Sequence, residues 1–344
     1  MDRTQIVLIV LTFLVLGTDS LIFDKTTLKR LFQSGALDLN FLRCIWKSTN
    51  ACPNSDIGFR MYSKEKKFPG TLINAKNPYS LYKAGFNSYK ETAFIIHGFN
   101  GTFRDKHMQF LKDAYLFRNF NVIQVDWSAI TQYPCYLSSL VNTKIVAQCT
   151  AQIYAMLTHH GNDREKITCV GHSLGAHICG MISNHITRKQ HRIVGLDPAK
   201  PLVQMSKPPS FRLTADDADH TQVIHTNAGI LGQDDSNVDL HFCVNGGRFQ
   251  PYCKGNPIRR SRCSHFLSIC YLASAMFKSK EFIGVPCEQC VEISGPGRLP
   301  VFYNDPYKTI QLTKKFRIGN DAPIGSSGTY CIDVPFAKHC PFGD

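Results

Sequence analysis

Past its first twenty residues, this 344-residue chain contains no apolar run near the ~18 residues that a membrane-spanning helix needs. Linkers are missing too. No Gly/Ser-rich or Pro-rich stretch divides the chain and no segment repeats, which argues for one domain over residues 21–344. Acidic residues are scarce, 26 against 39 Lys and Arg, for a net charge of +13. That surplus is not organised for nucleic acid, because no basic motif interleaved with aromatics accompanies it. Metal-site spacing is absent as well. Cys287-Glu288-Gln289-Cys290 lacks the second ligand pair of a zinc site, and Asp234-Asp235-Ser236-Asn237 lacks the ligand spacing of a calcium loop.

What is present begins with a leader. Residues 1–20 place Arg3 before an apolar run from Ile6 to Leu16, with small and polar residues after it. This is the pattern of a secretory signal cleaved near Gly17 or Ser20. All fourteen cysteines lie beyond it, an even number that suits an oxidising, extracellular compartment. Proximity along the chain favours the pairs Cys44–Cys52, Cys135–Cys149, Cys253–Cys263 and Cys331–Cys340. It leaves Cys169 and Cys179 as buried thiols and gives Cys287 and Cys290 a disulfide role. For an exported protein the basic surplus points to an anionic surface, either a membrane or a cell-surface glycan.

Short apolar runs alternate with helical patterns. ETAFIIHGF, NVIQVDW, EKITCVGHSLG, RIVGLDP and TQVIHTN read as strands. Ile145, Cys149, Ile153 and Leu157 recur every four residues along a helix that Gly161 ends. The alternation predicts an α/β fold with a mostly parallel sheet covered by helices on both faces.

Gly171-His172-Ser173-Leu174-Gly175 matches G-x-S-x-G, and its context strengthens the match: an apolar strand precedes it and a helix pattern follows. Such an elbow needs small residues two before and two after the serine. A nucleophilic serine also needs a base and a group that orients the base. On a sheet of this kind the order is serine, then acid, then histidine. Asp197 ends the next strand, with Pro198 forcing a turn; a turn-capping role competes for the same residue. Asp216, Asp217 and Asp219 rank lower, lying in a polar stretch with no strand before it. Among His220, His225, His241, His265 and His339, the preferred base is His265, at a loop-to-helix junction just after Cys263. His225 and His241 read as packed core residues. Two backbone N–H groups would hold an oxyanion: Leu174 after the nucleophile, and Phe99 beyond the Gly98 turn.

Taken together, AFIIHGF, VGHSLGAHICG, VGLDPAKP, DADHTQVIHTNAGILG, NGGRFQPYCK and CSHF resemble the pancreatic lipase family. Within it the likeness is to insect neutral lipases and to wasp and ant venom phospholipases A1. The resemblance implies an α/β-hydrolase with Ser173, Asp197 and His265 as triad and Phe99 and Leu174 as oxyanion donors. It implies no metal or other cofactor, no C-terminal β-sandwich and no colipase partner. It also implies that Cys253 and Cys263 bracket the lid, here only KGNPIRRSR. Nine residues with one apolar side chain, Ile258, and a proline are too few for an amphipathic lid helix. With a short second loop, ILGQDDSN, this resembles the phospholipases A1, acting on a phospholipid membrane or lipid aggregate. Lys254, Arg259, Arg260 and Arg262 would then rim the cleft and meet phosphate. A neutral triacylglycerol or galactolipid lipase is the alternative enzyme, and a yolk-type lipid carrier the non-catalytic one. The single N-glycosylation motif, Asn100-Gly101-Thr102, lies beside the oxyanion loop, where a glycan would crowd the cleft.

Overall fold

Runs of β-branched and aromatic residues with no polar face can only be strands buried on both sides, and that is what they form. The computed structural model describes residues 44–47, 51–66, 69–203, 207–234, 236–277, 282–290 and 315–334. The leader at residues 1–20, the domain start at residue 21, His339 and Cys340 lie outside them. The described strands are β1 (Gly58–Tyr62), β2 (Thr71–Leu72), β3 (Thr92–Ile96), β4 (Asn121–Asp126), β5 (Ile167–His172), β6 (Gln190–Leu196), β7 (Ala218–His225), β8 (Leu240–Val244), β9 (Ile283–Pro286), β10 (Phe316–Arg317) and β11 (Gly328–Ile332). They make one sheet in the order β10-β9-β11-β8-β7-β6-β5-β3-β4-β1-β2. From β11 to β4 every neighbouring pair is parallel. At the flanks β9 pairs antiparallel with β11 and β1 with β4.

Alternate residues of each strand feed two cores. Phe94 and Ile96 of β3 join one cluster; Ala93 and Ile95 join the other. The first is covered by α3 (Tyr136–His159) and α4 (Leu174–Ile182), with α1 (Tyr79–Ala84) at its margin. The second is covered by α2 (Lys106–Phe117) and α5 (Pro257–Phe277). This is an α/β-hydrolase fold, and the five strands read from the sequence are all present. The helix expected to end before Gly161 begins earlier, at Tyr136, and buries Ile145, Cys149, Ile153 and Leu157 as expected.

The cysteine pairing departs from the expectation of local closure. Cys44 bonds Cys135 and Cys52 bonds Cys149, not each other. Cys135 and Cys149 bracket about 21 Å of α3 at 1.5 Å per residue. Eight residues of chain can reach that far, so Cys44 and Cys52 can each bond near a different point of the helix. Cys169 and Cys179 are not thiols but a disulfide, with Cα atoms 5.8 Å apart. The turn at Ser173 folds α4 back over β5 and brings both sulfurs into the same core. Cys331 bonds Cys287, because β11 runs antiparallel to β9 and Cys287 directly follows that strand. Cys290 bonds Cys243, so the two cysteines of CEQC do serve disulfides, though with different partners. Cys253–Cys263 forms as expected, and Cys270 is also disulfide-bonded.

The Cys169–Cys179 bond closes a short loop around the Ser173 turn. Replacing both cysteines with alanine should lower unfolding stability by roughly 3 kcal/mol, from the closure entropy of a loop this size. Urea unfolding at matched pH checks this; an unchanged midpoint would mean the bond constrains nothing.

Candidate active site

Ser173 occupies the sharp turn between β5 and α4 with φ 56° and ψ −120°, a backbone region that a non-glycine residue enters at a cost of about 1–3 kcal/mol. Three glycines make the turn sterically feasible. A Cβ on Gly171 would sit inside the Gly175 carbonyl, and one on Gly175 inside the backbone of Ile96. A Cβ on Gly98 would come within 2.7 Å of the Ser173 Cβ. The elbow and the loop after β3 are therefore in backbone contact. This is the approach needed to bring the Phe99 and Leu174 peptides to one point beside the serine hydroxyl.

His97, the residue directly after β3, orients that loop. Its Nε2 accepts the Trp127 N–H at 3.1 Å, which puts the ring proton on Nδ1, and Nδ1–H donates to the Gly98 carbonyl at 3.0 Å. The Gly101 N–H donates to the same oxygen at 3.2 Å. Because a peptide is planar, fixing the Gly98 carbonyl fixes the Phe99 N–H in the opposite direction.

Asp197 directly follows β6 and is fully buried. Burying a carboxylate costs several kcal/mol unless charge-assisted hydrogen bonds replace water. Three do. Oδ1 accepts the backbone N–H groups of Thr226 and Asn227, each at 3.0 Å, and Oδ2 accepts Nδ1–H of His265 at 2.6 Å. At about 1.5–3 kcal/mol each, these bonds offset the desolvation. The turn-capping alternative for Asp197 does not describe this arrangement. Gly232, in the second surface loop, presses against the same carboxylate, where a Cβ would overlap its oxygens.

His265 is not at a loop-to-helix junction. It lies two turns inside α5, whose first turns are the PIRRSR expected to be a loop. The signal is local: the Asn256 side chain accepts the Arg259 N–H at 2.9 Å, and Pro257 takes the first helical position. Nine residues need not nucleate a helix of their own when a longer one continues through them. His172 holds this helix from below. Its Nε2–H donates to the His265 carbonyl at 3.1 Å, and the two rings lie 4.5 Å apart. Burial, then the neighbouring His265, drives the His172 imidazole well below its ordinary range and keeps it neutral.

Other candidates go elsewhere. His225 and His241 pair with each other at 3.0 Å, as expected of packed histidines. Asp217 closes a capping box with Thr214, Asp219 pairs with Arg164, and Asp234 pairs with Lys200. Lys254, Arg259, Arg260 and Arg262 are all exposed around the start of α5. Arg260 lies over the Phe249 ring at 4.6 Å and Arg262 near the Phe266 ring at 6.0 Å. Asn100 is exposed, and its side-chain oxygen accepts the Tyr133 N–H.

The lipase family profile matches residues 41–299. The chain belongs to the lipase family. This lipase-family chain is 34% identical to lipase member H-A of Xenopus laevis, across 66% of its own length and 50% of that protein. It is 32% identical to lipase member H of Xenopus tropicalis, across 79% and 62%. To pancreatic lipase-related protein 2 of Cavia porcellus it is 30% identical, across 70% and 56%. The chain thus spans between half and two thirds of the length of these relatives.

Residue types alone did not reveal Gly232, His97 or the Thr226 and Asn227 peptides. Replacing Gly232 with alanine should push Asp197 off its two backbone donors and cost about 1–3 kcal/mol for each donor left unpaired. Proton NMR gives a direct reading. The short His265–Asp197 bond should show a far-downfield resonance that the Gly232→Ala protein lacks; its persistence would place the glycine outside the site.

Proposed function

We propose that this lipase-family protein is a secreted serine ester hydrolase that cleaves the sn-1 acyl ester of phospholipids. The Ser173 hydroxyl attacks the ester carbonyl while His265 Nε2 takes its proton. Asp197, bonded to Nδ1, holds the ring in the tautomer that leaves Nε2 basic and stabilises the imidazolium that forms. The Phe99 and Leu174 N–H groups hold the oxyanion, helped by the positive end of α4. The imidazolium returns its proton to the departing alcohol. Water, deprotonated by the same imidazole, then releases the fatty acid from Ser173. The chemistry calls for no metal.

One observation carries the phospholipid reading. Only nine residues lie between the cysteines of the Cys253–Cys263 bond, and most of them are already the opening turns of the helix that carries His265. No chain remains there for an independent cover that would have to open on oil. Lys254, Arg259, Arg260 and Arg262 stand around those turns, and arginine binds phosphate in a bidentate manner that suits a headgroup next to the scissile ester. The disulfides support an extracellular setting.

Phosphatidylcholine labelled separately at sn-1 and sn-2, with triolein in parallel, tests the proposal on the secreted protein. Fast sn-1 release with little attack on triolein is expected, and Ser173→Ala should reduce it by roughly 10⁴-fold or more. Preferred hydrolysis of triolein would make the protein a neutral lipase. No turnover of either lipid by folded protein would favour a carrier.

A further inference from the structure

Four large apolar side chains stand in water along one side of the site: Trp46 is 50% exposed, Tyr133 48%, Ile45 45% and Val141 39%. The backbone is built to keep them there. The Cys44–Cys135 bond ties the segment to the residue before α3. Buried Asn142 of α3 then clamps both flanks of Trp46, donating to the Ile45 carbonyl at 2.8 Å and accepting the Lys47 N–H at 2.9 Å. The same amide donates to the Ile130 carbonyl at 2.9 Å, so the loop after β4 is held by the same side chain. Apolar groups of this size are driven toward burial, yet the backbone that carries Ile45 and Trp46 is held on both sides with their side chains exposed.

Their position gives the patch a use. Tyr133 follows the carboxyl end of β4, Ser173 that of β5, Asp197 that of β6, and the Lys254–Arg262 cations that of β8. All four therefore share one edge of the sheet, with the catalytic groups between an apolar flank and a cationic flank. The patch is also joined to the oxyanion loop, since the Tyr133 N–H donates to the Asn100 side chain at 3.1 Å and Tyr136 packs edge-on against Phe99. Tryptophan and tyrosine favour the boundary between headgroups and acyl chains, and cations favour phosphate.

We propose that Ile45, Trp46, Tyr133 and Val141 form a fixed docking face for a phospholipid–water interface, entering the acyl boundary while the α5 cations meet headgroup phosphates on the opposite side of the mouth. The proposal rests on the phospholipid reading above and adds to it how the site reaches an aggregated substrate without a mobile lid.

The chain has two tryptophans, and Trp127 is fully buried, so a change of fluorescence on binding reports Trp46. Ser173→Ala protein, secreted from cells expressing the full chain, is mixed with phosphatidylcholine vesicles with and without bromine on the acyl chains. A blue shift with plain vesicles and quenching by the brominated ones are expected. Adding Trp46→Ala and Ile45→Ser should weaken partitioning about ten-fold or more, and the same pair placed in active protein should leave hydrolysis of a soluble short-chain ester unchanged. Unchanged Trp46 emission, or undiminished partitioning of the variant, overturns the proposal. So does a Trp46-dependent dimer that binds no vesicles. Because binding is read without turnover, docking without phospholipid hydrolysis would refute the proposed reaction alone, and hydrolysis without quenching would refute the docking face alone.

Discussion

The site depends on a backbone contact that only glycine permits. Where β5 turns into α4, the carbonyl of Gly175 and the α-carbon of Gly171 are too close for any side chain between them, and the Ile96 backbone closes on Gly175 from β3. That packing holds Ser173 in a conformation it would otherwise avoid, and it brings the loop after β3 to the serine. The Cys169–Cys179 bond fastens strand to helix around the same turn. A larger residue at any of these glycines would displace Ser173 and the loop after β3 together, so the proposed nucleophile and its proposed oxyanion donors are positioned by one constraint.

The proposed acid and base are held by a second, separable set of forces. Asp197 is satisfied by peptides of the loop after β7 and enclosed by Gly232, while His265 comes from a helix on the other face of the sheet. The two meet through a 2.6 Å hydrogen bond. His172 links the systems, since it lies beside Ser173 in sequence and donates to the carbonyl of His265. Fixed geometry of this sort would let the proposed site supply orientation without rearrangement at the moment of reaction.

Much of this was legible in the chain. The strands around the elbow are short apolar runs punctuated by Gly and Pro, and their order predicted the parallel sheet. Asp197 was marked by a strand ending in Asp-Pro. Apart from Cys253–Cys263, disulfide connectivity was not legible: Cys44 and Cys52 are near neighbours in sequence but bond to points far apart along the chain, Cys135 and Cys149. The helical start of α5 was signalled by Asn256-Pro257, a cap followed by proline, yet the count of residues between cysteines masked it. The donors to Asp197 are peptide groups, which leave no trace in side-chain identity. Gly232 was visible only as one more loop glycine until its crowding against the carboxylate was seen.

The most direct test of the central claim is covalent. A fluorophosphonate reacts with a serine only when a base activates it and an oxyanion pocket receives the phosphoryl oxygen. Peptide mass spectrometry of the treated protein should find one adduct, on Ser173, abolished by His265→Gln. An unlabelled Ser173 in folded protein, or an adduct on another residue, would contradict the site as a working acyl-transfer centre.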